Sequence, residues 1–431
     1  MACSLWIVPR YTNSRRGKLR EDATAADFRQ NDLTRKKKAR STILNFHSLI
    51  TPLMMPGLVW KSKMPHTMLW LVRKRTSKSC ILCTSRGFFV RFRFFSVPVL
   101  TVLVIVALAT PQVHAEEPIL FRISVENVTS HFQAQFVRRF AETLSARAGA
   151  GIKVEFYDGA RLFRDADIVA ALARGSVEMA VPGLWQFDKA VPDSAILMLP
   201  TVYGKPGLEM REAVDGPLGS FLAKRLEGTL PVKVVGRWLD LGHAHIFGAG
   251  KGIRSPMEIP GKRIRVAGGR ANEERIRVLG GSPVSISSSD LSAYLDRGIV
   301  DGILTTYETV ATAGFSSHGL VSVYEDKEYY PFFLPLVSAT AWERLPEATK
   351  ATIVGLWAEM LSAGRLASVN AQDQAKATLK KGGMSIVVPS PEESMKTRAR
   401  LLTEEVMMAK RLGVSDEAMA VLKAAFPEGR R

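Results

Sequence analysis

Two arginines one residue apart, Arg263 and Arg265, lie inside the strand-like run Lys262-Arg263-Ile264-Arg265-Val266. Alternate side chains of a β-strand face opposite ways, so the two guanidinium groups share one face while Ile264 and Val266 take the other. The apolar face packs; the basic face can meet an anion. A guanidinium held at a strand end offers paired N–H donors to both oxygens of a carboxylate, a geometry that lysine does not reproduce. The plain alternative is a solvated basic edge strand, the usual fate of arginine. Arg263 lies one pleat back from the C-terminal end of the strand and is expected outside the pocket, which leaves Arg265 as the anion-binding candidate.

Around it stand groups that can line a pocket. Trp185 follows Val181-Pro182-Gly183, where a strand gives way to a loop, and Trp238 precedes the first crossing between lobes; either can wall a ligand, or belong to the core. Thr305 and Thr306 end the run 299–304, and strand ends of open α/β sheets line ligand crevices. His243 and His245 alternate like strand residues, so His245 is a candidate pH-sensitive donor and, equally, a packed histidine. No carboxylate or cysteine stands at metal-ligand spacing from them, so no metal is expected. Asn127 is a candidate hydrogen-bond donor after the first strand, or a turn residue. Glu308 can brace an arginine or hold a cation, but a solvent-facing carboxylate is the preferred reading.

The elements that position these residues follow from periodicity. Strands are expected at 119–125, 153–157, 177–181, 232–239, 262–266 and 384–388, with helices at 132–148, 165–173, 208–226, 291–297, 341–379, 392–410 and 417–425. Phe136, Phe140 and Leu144 recur at four-residue steps and make one helical face. Ser287-Ser288-Ser289-Asp290 offers an N-cap for helix 291–297. Short βαβ spacing predicts an α/β fold with parallel sheets, in two lobes. The first comprises 116–241 and 329–431, the second 242–328, with an aromatic strand at 329–338 crossing back and the 341–379 helix bridging both. The cleft between lobes is where a small ligand settles.

Charge excludes one class of function. Of 59 Lys+Arg and 41 Asp+Glu, the first 115 residues hold 20 and 4, so the body of the chain is nearly neutral despite a formal +18. Nucleic-acid binding draws on clustered positive charge and loses its support there. The basic excess precedes an apolar run 94–109, a helix-breaking Pro111 and Val113-His114-Ala115, which reads as an export signal ending near Ala115 (94–115), behind a basic extension 1–93 that suggests an over-extended start. Cys3, Cys80 and Cys83 all precede that cleavage point, so no disulfide or thiolate site is expected beyond it. No cofactor is expected either: Ala267-Gly268-Gly269-Arg270 is not a spaced dinucleotide fingerprint, and no nucleophile elbow is present.

In their order, Val191-Pro192-Asp193, Leu199-Pro200, Ser255-Pro256-Met257-Glu258-Ile259-Pro260-Gly261 running into the arginine strand, Gly280-Gly281-Ser282-Pro283-Val284 and Gly298-Ile299-Val300-Asp301-Gly302 resemble the solute-binding proteins of tripartite ATP-independent periplasmic (TRAP) transporters. The resemblance covers 119–426. It implies a two-lobed periplasmic binding protein fold that closes on an organic acid and delivers it to a sodium-driven TRAP membrane permease, with no enzymatic step. It also implies that Arg265 stands where the family keeps the arginine that pairs with the substrate carboxylate. Two departures matter. Leu241-Gly242-His243-Ala244-His245 lacks the second arginine of many acid binders, and Ile303-Leu304-Thr305-Thr306 replaces a side-chain amide region. Both favour a monocarboxylate or 2-oxo acid over sialic acid or a C4-dicarboxylate. The alternatives are a ligand-sensing partner of a membrane receptor and an enzyme on the same fold.

Overall fold

The computed structural model describes residues 117–427. The extension 1–93 and the export signal 94–115 lie outside them.

Two sheets build two lobes. The first contains β1 (Ile119–Ser124), β2 (Ile152–Tyr157), β3 (Met179–Ala180), β4 (Val232–Val234) and, from the returning chain, β12 (Leu336–Ser338), in the order β2-β1-β3-β12-β4. The second contains β6 (Ala244–Ala249), β7 (Arg263–Val266), β8 (Ser282–Ser285), β9 (Gly302–Thr305), β10 (Leu320–Tyr329) and β13 (Ser385–Val387), in the order β13-β10-β6-β9-β7-β8. β1 runs parallel to β2 and β3, and β7 parallel to β8 and β9, as βαβ spacing requires. The sheets are nevertheless mixed. β12 is antiparallel to both its neighbours because it carries the chain back from the second lobe, and β6 is antiparallel to β9 and β10 because it carries the chain in. β13 joins the second sheet, so the returning segment contributes to both lobes.

Proline and glycine redraw two of the expected helices. The run 208–226 is two helices, Gly207–Asp215 and Pro217–Thr229, parted by Gly216, whose extended backbone is what a residue before proline prefers. Pro346 likewise divides 341–379 into Ala339–Arg344 and the long Glu347–Lys381. Asp290 stands at the N-cap of helix Leu291–Asp296 but its side chain makes no cap bond. The aromatic run 329–338 is the end of β10, then β11 (Phe332–Phe333), then β12.

The long helix joins the lobes by packing on both cores. Ile353, Leu356, Trp357 and Leu361 enter the first, Ala375 and Leu379 the second. Phe136 and Phe140, from the predicted face of helix Phe132–Ala148, meet the Trp357 ring edge-on at 5.2 and 5.5 Å. Each such aromatic pair is worth about 1 kcal/mol beyond its buried area. The crossing itself is a two-stranded ribbon of β5 (Leu239–Asp240) and β11. Within it the fully buried Asp240 accepts two hydrogen bonds from Arg211, at 2.9 and 2.7 Å, and one from the Tyr330 hydroxyl at 2.7 Å. Arg365 of the long helix donates to the Trp238 carbonyl and forks onto Asp215.

Candidate ligand site between the lobes

β7 places Arg265 on the second sheet's side of the cleft, only 1% exposed. Its Nε donates to the Ile286 carbonyl at 2.9 Å and a terminal nitrogen to Ser288 Oγ at 3.2 Å, which fixes the plane of the guanidinium. Two carboxylates of the first lobe, Asp165 and Glu126, lie beside it. Burial pulls the Arg265 pKa down from 12.5 to about 10 against the opposing pull of those two charges, so the group stays cationic at neutral pH. Asp165 is held in turn by the backbone N–H of Ala166 at 3.0 Å and, across the cleft, of Ser288 at 3.2 Å.

Glu126 lies two residues past the end of β1. Burial, and then the Asp165 charge, push its carboxyl well above the ordinary carboxylate range, with Arg265 opposing. Ser124, Val125, Glu126, Phe163, Asp165, Ile168 and Pro182 line a small cavity of about 10 Å³. Among the described residues, Ser124 Oγ and Glu126 Oε2 are both shut off from solvent and have no hydrogen-bond partner. Buried polar atoms are nearly always partnered, and a space of this size suits a single water between the two.

Trp185 stands in the same region, 5% exposed, against Phe333 at 5.6 Å and edge-on to Tyr329 at 6.5 Å, with its Nε1 also buried and unpartnered. Glycines admit it. A Cβ on Gly183 would lie 2.2 Å from the indole, and one on Gly269, whose φ is +87°, would lie 2.9 Å from the Trp185 carbonyl. The backbone after β7 can therefore close on the first lobe, and it does: Gln186 Nε2 donates to the Ala267 carbonyl at 3.1 Å, and Ala271 N–H to Asp188 at 2.9 Å.

The other candidates are spread more widely. Asn127 adjoins Glu126, but its amide is spent on Gln133 Oε1 at 2.7 Å, and its carbonyl takes the Gly159 N–H at the strand end. Trp238 lies under the crossing ribbon against Phe332, its carbonyl holding Arg365. His245 pairs with Thr305 across β6 and β9 and sits 3.8 Å from Asp326; it lines a second cavity with His243, on the hinge side. Burial holds the His243 pKa down at about 4. Thr306 is fully buried and its hydroxyl caps helix Tyr307–Thr312, accepting from Thr309 N–H. Arg263 points outward, forked onto Asp301 at 3.0 and 2.9 Å. Glu308 corrects the reading of a solvent-facing carboxylate: it is 3% exposed, because the lobes meet over it. Glu126 and Asp165 had not been singled out; the available signal was an acid placed soon after an apolar strand, and another just before a helix.

Residues 123–408 match the profile of bacterial extracellular solute-binding protein family 7 (DctP). The C4-dicarboxylate-binding periplasmic protein DctP of Rhodobacter capsulatus is 23% identical over 322 residues, covering 72% of this chain and 92% of its own. The sugar acid binding protein DctPAm of Advenella mimigardefordensis, solved with galactonate, superposes with a TM-score of 0.67 at 20% identity, over 72% of this chain and 98% of its own. A TRAP periplasmic solute-binding protein of Sulfurospirillum deleyianum, solved with succinate, gives 0.66 at 17% identity, over 72% and 100%. The two-lobed α/β fold is shared with both. With its profile matched over more than half its length, the chain belongs to bacterial extracellular solute-binding protein family 7, the solute-binding proteins of TRAP transporters.

Proposed function

We propose that this protein captures a small organic acid in the periplasm, after export by a signal ending near Ala115, and delivers it to the membrane subunits of a sodium-driven TRAP permease. The observation that carries this reading is the Arg265 guanidinium, buried, cationic and fixed in plane at the boundary between two closable lobes. Relatives that carry acids, a C4-dicarboxylate binder and a galactonate complex among them, support the substrate class. Trp185 walls the site, while Thr305, Thr306, His245, Trp238 and Asn127 contribute through the strands and turns that shape it. Closure on ligand is a shift of population, driven by tighter binding to the closed state, with no covalent step.

The test is calorimetry with a panel of small acids on the wild type, Arg265→Lys and Arg265→Met. Arg265→Lys keeps the charge but loses the fork, and affinity is expected to fall by about tenfold or more, the loss of one charge-assisted contact. Arg265→Met should abolish binding. Unchanged affinity in variants that retain native circular dichroism would refute the site, and turnover of a bound acid would replace transport by catalysis.

A further inference from the structure

We infer that two copies of this chain pair through the helix Pro391–Leu412, packed antiparallel across a two-fold axis. The helix has two apolar faces. Leu401, Met408 and Leu412 are buried against the chain's own body, on the face from which Glu405 holds Thr201. Met395, Leu402 and Val406 stand at i, i+7 and i+11, which at 3.6 residues per turn is a second stripe, roughly a third of a turn away. Nothing among the described residues covers it: Met395 is 61% exposed, Leu402 43% and Val406 70%, with Ala399 exposed between them. Scattered exposed apolar side chains need no explanation, but a row of them along one helix marks an interaction surface.

Charge selects the occupant. A two-fold axis between antiparallel copies of one helix sets residue i of one against residue j of the other at constant i + j, and brings each flank against the same flank of its mate. Seating Met395 on the partner's Val406 then puts Ala399 on the partner's Leu402, and brings Glu392 within about one residue of the partner's Lys410. Glu392 and Lys410 lie about five whole turns apart, so both project on one flank of the stripe. Both are exposed and, among the described residues, neither is in an ion pair, whereas Arg411 is held by Glu274 and Glu393 by the helix cap. Symmetry makes the Glu392 contact twice, once at each end of the stripe. Apolar side chains and opposite charges therefore fall into place in a single register, which favours a second copy over an anionic membrane, for which Glu392 would be misplaced. Exposed ion pairs of this kind fix register more than they add affinity, and one helix pair is a small interface, so the dimer is reversible.

The experiment is sedimentation velocity of the purified protein across a concentration series, where a reversible monomer–dimer equilibrium is expected. Leu402→Glu puts a charge at the middle of the stripe and should raise the dissociation constant by about tenfold or more. Charge reversal tests the register. Glu392→Lys or Lys410→Glu alone sets like charges together twice, and each should weaken the dimer by about fivefold, while the double variant Glu392→Lys/Lys410→Glu should return to within about twofold of the wild type. All three positions are exposed, so the fold is kept, and melting temperatures check that it is. A monomer at every concentration, a dimer indifferent to Leu402→Glu, or single reversals that the double variant does not rescue would overturn the inference. Binding to anionic lipid vesicles that Leu402→Glu abolishes, by a protein that stays monomeric, would overturn it in favour of a membrane surface.

Discussion

Glu308 accepts a hydrogen bond of 2.5 Å from the backbone N–H of Phe132, so a carboxylate of the second lobe caps a seventeen-residue helix of the first. The same side chain lies 3.4 Å from His131 Nε2, and both side chains are buried. His131 Nδ1 accepts from Gln133 N–H, which leaves Nε2 to carry the proton of the neutral ring, in keeping with a pKa that burial lowers to about 3. A helix N-terminus attracts negative charge, yet the contact is made by a residue 176 positions away, so it exists only while the lobes meet.

Burial raises the Glu308 pKa from 4.5 to about 8, the Phe132 hydrogen bond opposing. The folded state therefore holds a proton that the unfolded chain has released between those values. Glu308 contributes stability that is complete below about pH 4.5 and is lost as pH rises through 8. One proton limits the slope to about 1.4 kcal/mol per pH unit. Denaturant unfolding of the wild type and Glu308→Gln from pH 6 to 9 measures it: the wild type should lose stability relative to the variant as pH rises. Parallel curves would mean that the carboxyl does not titrate there.

Asp240 carries a second prediction. It is a fully buried residue of the crossing ribbon, and Arg211 and Tyr330 donate three hydrogen bonds to it. Asp240→Asn keeps the shape but removes the charge that compensates Arg211, itself mostly buried. Breaking a buried pair from one side costs about 3 kcal/mol. Chemical denaturation should show that loss at an unchanged m-value; a change below about 0.5 kcal/mol would place the pair among weak surface contacts.

Much of the fold could be read because local patterns agree with tertiary ones. The helix Phe132–Ala148 has its predicted bounds because Phe136, Phe140 and Leu144 repeat on the face that meets Trp357. β10 escaped the reading. Its alternation breaks at Glu325-Asp326-Lys327-Glu328, and Lys327 takes a left-handed φ of 51° where the register with β6 shifts. These acids are tolerated inside a strand because partners arrive from elsewhere: Tyr307 and Lys376 for Glu325, Arg275 for Asp326. No local signal announces such partners.

The site divides in the same way. Arg265 was visible because strand alternation fixes which face it shares, and the strand is regular. Glu126 was not, since an acid next to Asn127 after a strand reads as the start of a turn. Only closure against the second lobe brings it near Arg265. Glu308 was misread for a related reason, its partner being the end of a distant helix.

Two glycines of the long helix should respond in opposite directions to the same substitution. Gly355 is exposed, and a Cβ there would meet nothing within 4 Å. Gly355→Ala therefore gains helix propensity alone, about 0.5–1 kcal/mol of stabilisation. A Cβ on Gly364 would lie 2.6 Å from the Phe136 ring and 3.1 Å from Leu239. Phe136 is itself fully buried and already in edge contact with Trp357 of the long helix, so it has little room to move. Overpacking a close-packed core costs about 1–3 kcal/mol, which exceeds the propensity gain, so Gly364→Ala should be net destabilising. Thermal unfolding of the two variants decides it. If Gly364→Ala proves as stabilising as Gly355→Ala, the helix does not press on the first lobe as closely as described, and its role in joining the lobes weakens with it.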